Sequence, residues 1–227
     1  MVTRAAYPGA MGGALREYRE GRQHDPRWTR ANWGHHAYLI QAFESIAMTL
    51  VGSGFDLRAG DSIAGVGPSG ARFVEYVARS GEVGPGVVAV SLGDDGTLPL
   101  PDNSVQAVVL SLVLSEMPSP LARAQVAREC RRVLTPDGVV VCWDARLPNP
   151  RNPHVDAIGR RELERLFPDS WIEARSLTLI PQVARSLGAA TPFLYSPLES
   201  IPLLRSHLLA TIRMTAVTPD PPADDEG

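Results

Sequence analysis

The chain has 227 residues, 44% hydrophobic and 21% charged, which suits one globular domain with a core of its own. Its 22 basic and 25 acidic side chains leave a net charge of −3, so no overall field draws nucleic acid or an anionic membrane. Every basic residue is an arginine, which excludes a Schiff-base lysine, a pyridoxal-phosphate anchor and a P-loop lysine. The two cysteines, Cys130 and Cys142, are too few for a disulfide framework or a cysteine zinc site, and no metal is expected. The apolar run from Ala107 to Leu114 is broken by Ser111 and is too short to span a bilayer, so a cytoplasmic protein is expected.

Residues 1–34 are rich in Gly, Arg and aromatics with weak periodicity, and are expected to form an arm or lid. Tyr7, Tyr18, Trp28 and Trp33 would be costly to leave in water, which argues that the arm covers a cleft. The domain proper is expected over residues 35–217. From His36, apolar residues recur at three and four (Tyr38, Leu39, Phe43, Ile46, Leu50), the spacing of a helix buried on one face, and Gly52 and Gly54 stop it. A strand over Ser62–Val66, a turn containing Gly65, Gly67 and Gly70, and a helix over Ala71–Arg79 follow.

Val87–Val90 reads as a strand covered on both faces. Val105–Leu114 reads as a central strand, and Pro120–Leu134 as a helix with Leu121, Val126, Cys130 and Val133 inward. Pro136, Asp137 and Gly138 turn the chain into another buried strand, VVVCW. Three prolines within residues 147–155 demand a loop. Gly159–Phe167 is a short helix whose GRRELER pattern suits ion pairs on an exposed face. Trp171–Ile180 alternates as a strand, Leu198–Leu204 suits a short helix and His207–Met214 a last strand. The acidic, Pro-rich tail, residues 218–227, is expected to be disordered. Strands alternating with helices predict an α/β fold: a doubly wound, mostly parallel sheet with an antiparallel pair of late strands at one edge. Its ligand site would lie at the carboxyl ends of the strands.

Three segments in order, IAGVGPSGARFVEYVA, LPLPDNSVQAVVLSLVLSEM and ECRRVLTPDGVVVCWD, resemble the glycine loop, fourth-strand region and fifth-strand region of class I S-adenosylmethionine-dependent methyltransferases. The resemblance covers roughly residues 60–180 and implies a Rossmann-like sheet with S-adenosylmethionine as cofactor. It places Gly65, Gly67 and Gly70 in the cofactor loop, Ser91 at the ribose position, Asp94 or Asp95 near the adenine amino group, and Leu98 just after them. The same glycines could instead serve only close strand-to-helix packing.

The chain departs from the family pattern at three acidic positions. Ile63 or Gly65 stands where the first strand should end in an acid, Ser91 where a second acid should grip both ribose hydroxyls, and Gln106 where the fourth strand usually opens with Asp. Between Val90 and Leu98 there are seven residues, too few for the family's third strand and helix, so residues 91–104 are expected to form one irregular connection.

Methyl transfer from a sulfonium needs donor and acceptor held in line and, for a hydroxyl acceptor, a base. Asp144, Glu116 and His154 are the candidate catalytic residues, because the strand ends to which they belong face the expected cleft. The reading is methyl transfer to a small-molecule acceptor, O-directed onto a sugar or other secondary metabolite. A methyltransferase-fold protein that has lost its cofactor and serves as a binding or auxiliary subunit is the alternative. No nucleic-acid or membrane partner is expected; a homodimer or a protein partner stays open.

Overall fold

Glycine and proline set the boundaries of most elements. The computed structural model describes residues 33–79, 84–117, 119–148 and 155–214; residues 1–32 of the expected arm, the tail and His154 lie outside them. Helix α1 (Trp33–Gly52) starts slightly before its expected position and buries Tyr38, Phe43, Ile46 and Leu50. Strand β1 (Ile63–Val66) is buried throughout and passes directly into α2 (Gly67–Arg79), which therefore begins four residues earlier than the sequence suggested. Strand β2 (Val87–Val90) leaves Val88 and Ala89 exposed. The expectation of cover on both faces fails there because β2 is the edge of the sheet.

Strand β3 (Val105–Ser111) stops short of Leu114: Leu112 adopts φ 55° and the chain enters a 3-10 turn, Leu114–Glu116. Helix α3 (Pro120–Val133) is capped by Ser119, whose hydroxyl accepts from the Ala122 N–H at 3.2 Å. Val126, Cys130 and Val133 face inward as expected, but Leu121 is 73% exposed, because five positions before Val126 lies well off their i, i+4, i+7 stripe. Strand β4 (Leu134–Ala145), helix α4 (Arg160–Leu166) and strand β5 (Ser170–Leu179) follow. Two helices the sequence did not suggest, α5 (Pro181–Ser186) and α6 (Thr191–Glu199), separate β5 from β6 (Arg205–Met214). The helix expected over Leu198–Leu204 is divided between the end of α6 and a 3-10 turn, Pro202–Leu204.

The strands form one sheet in the order β2-β1-β3-β4-β6-β5, with β1 to β4 parallel and β6 antiparallel to both its neighbours. The mixed sheet with its late antiparallel pair is the expected architecture. Residues 91–104 contain neither strand nor helix, so the connection is irregular as its length required. It is held by α3. The Leu98 N–H donates to Glu129 Oε2 at 2.9 Å, while Arg132 donates to the carbonyls of Leu98 (2.9 Å) and Leu100 (2.8 Å).

One apolar layer lies under α1 and α2, around Phe43, Ile46, Phe73 and Trp143; the other lies under α3, around Val108, Leu110, Val126 and Val140. Cys130 and Cys142 are both buried, and burial pushes the Cys130 thiol up to about 12, which leaves it inert as a nucleophile. Because β6 runs against β4, with Ala145 beside His207, its amino end joins the carboxyl ends of β1 to β4 and of β5 along one margin of the sheet.

Candidate active site

The three glycines of the turn do different work. A Cβ on Gly65 would lie 2.6 Å from the Gly70 carbonyl oxygen, and one on Gly70 would lie 2.6 Å from the Gly65 carbonyl carbon. These two let α2 sit against β1 and leave no room for a side chain, so the acid missing from position 65 could not stand there in this backbone. Gly67 is the conformational one, at φ 75°. Its nearest neighbour in the direction of a Cβ is Val113 Cγ2, at 3.2 Å, which ties the glycine turn to the segment after β3. Pairing of Val66 with Val90 brings Ser91, exposed, to the margin beside Gly67.

The remaining expected cofactor residues divide. Asp94 is exposed; Asp95 is turned back on its own loop, where Oδ1 accepts from the Thr97 N–H (3.0 Å) and hydroxyl (2.6 Å), bonds that hold its pKa low. Leu98, also expected at the cofactor, has its side chain buried in the core under α3, where the short connection draws it inward. Gln106 accepts from the Ser62 N–H at 2.9 Å and joins β1 to β3 at the opposite end of those strands.

Asp144, at the end of β4, is fully buried. Its carboxylate accepts from the N–H groups of Leu114 (2.8 Å), Ser115 (3.3 Å) and Ala145 (2.8 Å), and so fixes the 3-10 turn over the strand ends. Burial pushes its pKa up to about 6, against the opposing effect of these bonds and of the Ser115 side chain. Glu116, at the end of the same turn, is exposed.

A cavity of about 520 Å³ opens beside that turn, a size suited to a small organic molecule. Leu112, Leu147, Pro148, Val155, Ile180 and Pro181 supply apolar wall; Glu116 lies on its lining, as do Tyr38, Ser206 and His207. The last three were not singled out from the sequence as site residues. His207 Nε2 is 3.2 Å from the Tyr38 hydroxyl, and Nδ1 is 2.8 Å from Ser206 Oγ and 3.0 Å from Thr178 Oγ1. Trp143 stacks on the imidazole at 4.6 Å between ring centroids. Burial lowers the His207 pKa to about 3 and raises that of Tyr38, so both rings are neutral at physiological pH. Thr178 reaches Nδ1 from a left-handed backbone, φ 61°, a costly conformation for a β-branched residue.

Residues 58–142, from before β1 to within β4, match a family model described as a methyltransferase domain. Over this segment the chain is similar to methyltransferase domains. No curated protein matches the chain. Among solved structures, an S-adenosylmethionine-dependent methyltransferase from Thermotoga maritima shares the fold of the domain, with a TM-score of 0.50 at 13% identity over 88% of this chain and 100% of that one. Others from Archaeoglobus fulgidus (14% identity, TM-score 0.46, 76% of this chain and 94% of that one) and Aquifex aeolicus (16%, 0.44, 74% and 88%) are similar more loosely.

S-adenosylmethionine is the cofactor that this family implies. The backbone around the glycine turn fits it: Gly67 puts a side-chain-free, left-handed residue at the end of β1, and the first turn of α2 has N–H groups without intrahelical acceptors. The side chains contribute less. Ser91 and Asp94 are exposed after β2, and at the positions where the resemblance expects carboxylates the chain has Ile63 or Gly65 and Ser91.

Proposed function

We propose that the protein transfers a methyl group from S-adenosylmethionine to the hydroxyl of a small-molecule acceptor, such as a sugar or other secondary metabolite, held in the 520 Å³ cavity. The observation that supports this reading is the position of the cavity: it opens at the carboxyl ends of β3 and β4, and Val113 links its 3-10 turn to Gly67. The cofactor, when bound, supplies an electrophilic methyl group. Gly67 gives it close approach to the backbone, and Ser91 offers a hydrogen bond at the ribose position. Asp144 acts as a positioning residue, holding the N–H groups of Leu114 and Ser115 so that Glu116 stays on the cavity. Glu116 takes the proton that the acceptor hydroxyl gives up and passes it to solvent.

Calorimetric titration with S-adenosylmethionine and with S-adenosylhomocysteine tests the reading directly, and binding of both is expected. The neutral residues at the positions of family acids favour one rival, a non-catalytic binding or auxiliary protein of the same fold. Failure of both ligands to bind at millimolar concentration would establish that rival instead.

A further inference from the structure

The polar end of the cavity has a directional hydrogen-bond chain. Thr178 Oγ1 donates to the Leu177 carbonyl at 2.7 Å, so toward His207 Nδ1, 3.0 Å away, it can only accept. An imidazole proton on Nδ1 satisfies that arrangement. Nε2 is then the acceptor, and the Tyr38 hydroxyl at 3.2 Å donates to it. Ser206 Oγ, 2.8 Å from Nδ1, also lies on the acceptor side of that proton, which leaves its own O–H to be directed elsewhere. Ser206 lines the cavity, and so does the ring it touches.

The charge pattern is equally specific. Among the described residues, the cavity lining carries one formal charge, Glu116, and that side chain is exposed at the mouth. The rest of the lining is apolar or neutral and polar (Tyr38, Ser115, Gln182, Ser206), and the imidazole is kept neutral by burial. An ionic group carried to this end would give up hydration with no counter-ion among the described lining residues of this end, whereas a neutral hydroxyl would lose little.

We propose that, of the acceptor classes named above, the acceptor is an uncharged, mostly apolar secondary metabolite rather than a sugar, an oxygen of which is bound by the Ser206 hydroxyl, with His207, held in its Nδ1–H form by Thr178, orienting that donor. Ser206 is thereby a specificity-determining residue and Thr178 a positioning residue. The strained backbone at Thr178 is the structural cost of presenting its hydroxyl to Nδ1. This inference rests on the reading of the cavity as the acceptor site.

The test uses the full chain and 4-methylphenol as a neutral probe, compared with toluene, 4-methylbenzoate and 4-methylbenzylamine by ligand-observed NMR. The phenol is expected to bind, with the hydrocarbon and both ions at least about tenfold weaker, and Ser206→Ala should weaken the phenol by about tenfold without affecting toluene. Nitrogen-15 imidazole spectra, with His207 assigned through His207→Gln, should show the neutral Nδ1–H form, and the near-isosteric Thr178→Val should populate the Nε2–H form. Equal binding of the benzoate, no binding of the phenol, or an unchanged tautomer in Thr178→Val in a folded variant would overturn the proposal. The probe titration needs no cofactor. A chain that selects 4-methylphenol but binds no S-adenosylmethionine would therefore refute the methyltransferase reading while leaving the selectivity of the cavity intact.

Discussion

Asp144 gives up hydration to hold three backbone N–H groups, and the balance shows in its pKa of about 6. In the unfolded chain the group titrates near the ordinary carboxylate value of 3.8, so between these two values the folded state holds more proton than the unfolded one, and stability falls as pH rises. The loss is complete above the folded pKa and is on the order of 3 kcal/mol. Asp144→Asn cannot ionise. Urea unfolding from pH 4 to pH 7 should therefore show the stability of the native chain declining relative to the variant by about that amount; a constant difference would mean that the carboxylate is ionised throughout. Gly65→Asp should fail to recover the family's acid and should instead destabilise by at least about 1–3 kcal/mol, because its Cβ has no space beside Gly70 and Val74. Chemical denaturation measures this, and unaltered stability would show that α2 can move off β1. Ser91→Asp has the space that Gly65 lacks. It is expected to tighten S-adenosylmethionine by about tenfold to hundredfold in calorimetry, while Gly67→Val abolishes binding through steric exclusion and the strain of a β-branched residue at φ 75°.

At the scale of the element, the connection from Ser91 to Ser104 lacks a ladder or helix of its own and depends on one turn of α3. Glu129 is buried and is held in its charged form by Arg132, whose hydrogen bond lowers the Glu129 pKa below the usual carboxylate range. Arg132→Ala should leave that carboxylate without its cation and release the carbonyls of Leu98 and Leu100. A loss of about 1–3 kcal/mol is expected, with faster amide exchange confined to residues 91–104 in exchange mass spectrometry. Unchanged exchange there would show that burial of Leu98 is sufficient to hold the connection. Helix α1 is tied to α5 at Gly34, where a Cβ would fall inside the Ala184 carbonyl. That contact sets Tyr38 and Pro181 on the same cavity, although they come from opposite ends of the domain.

For the whole molecule, the missing strand and helix change the edge of the sheet rather than its core. Strand β2 becomes the margin, short and partly exposed, while β1, β3 and β4 remain buried between the two apolar layers. No described helix is long and apolar enough to cross a membrane. The succession of strands and helices, the glycine turn and the irregular connection were legible in the sequence because each follows from local periodicity, turn chemistry or the reach of the chain. Leu121 and the two helices of residues 181–199 were not, since a helical stripe and a proline-containing segment leave their packing partners undefined.

The sequence by itself determined the class of fold, the place of the glycine turn and the absence of family acids, all properties of residue order within short windows. Only the tertiary structure decided that Gly65 and Gly70 pack against each other while Gly67 alone turns the backbone, and that the Asp144 carboxylate is enclosed. It also decided that Tyr38 meets His207 across 169 positions of sequence and that Thr178 and Ser206 complete the polar end of the cavity. The physical reason is the antiparallel return of β6: it carries His207 to the carboxyl margin beside Ala145, and no local pattern records which distant side chains a returning strand will meet.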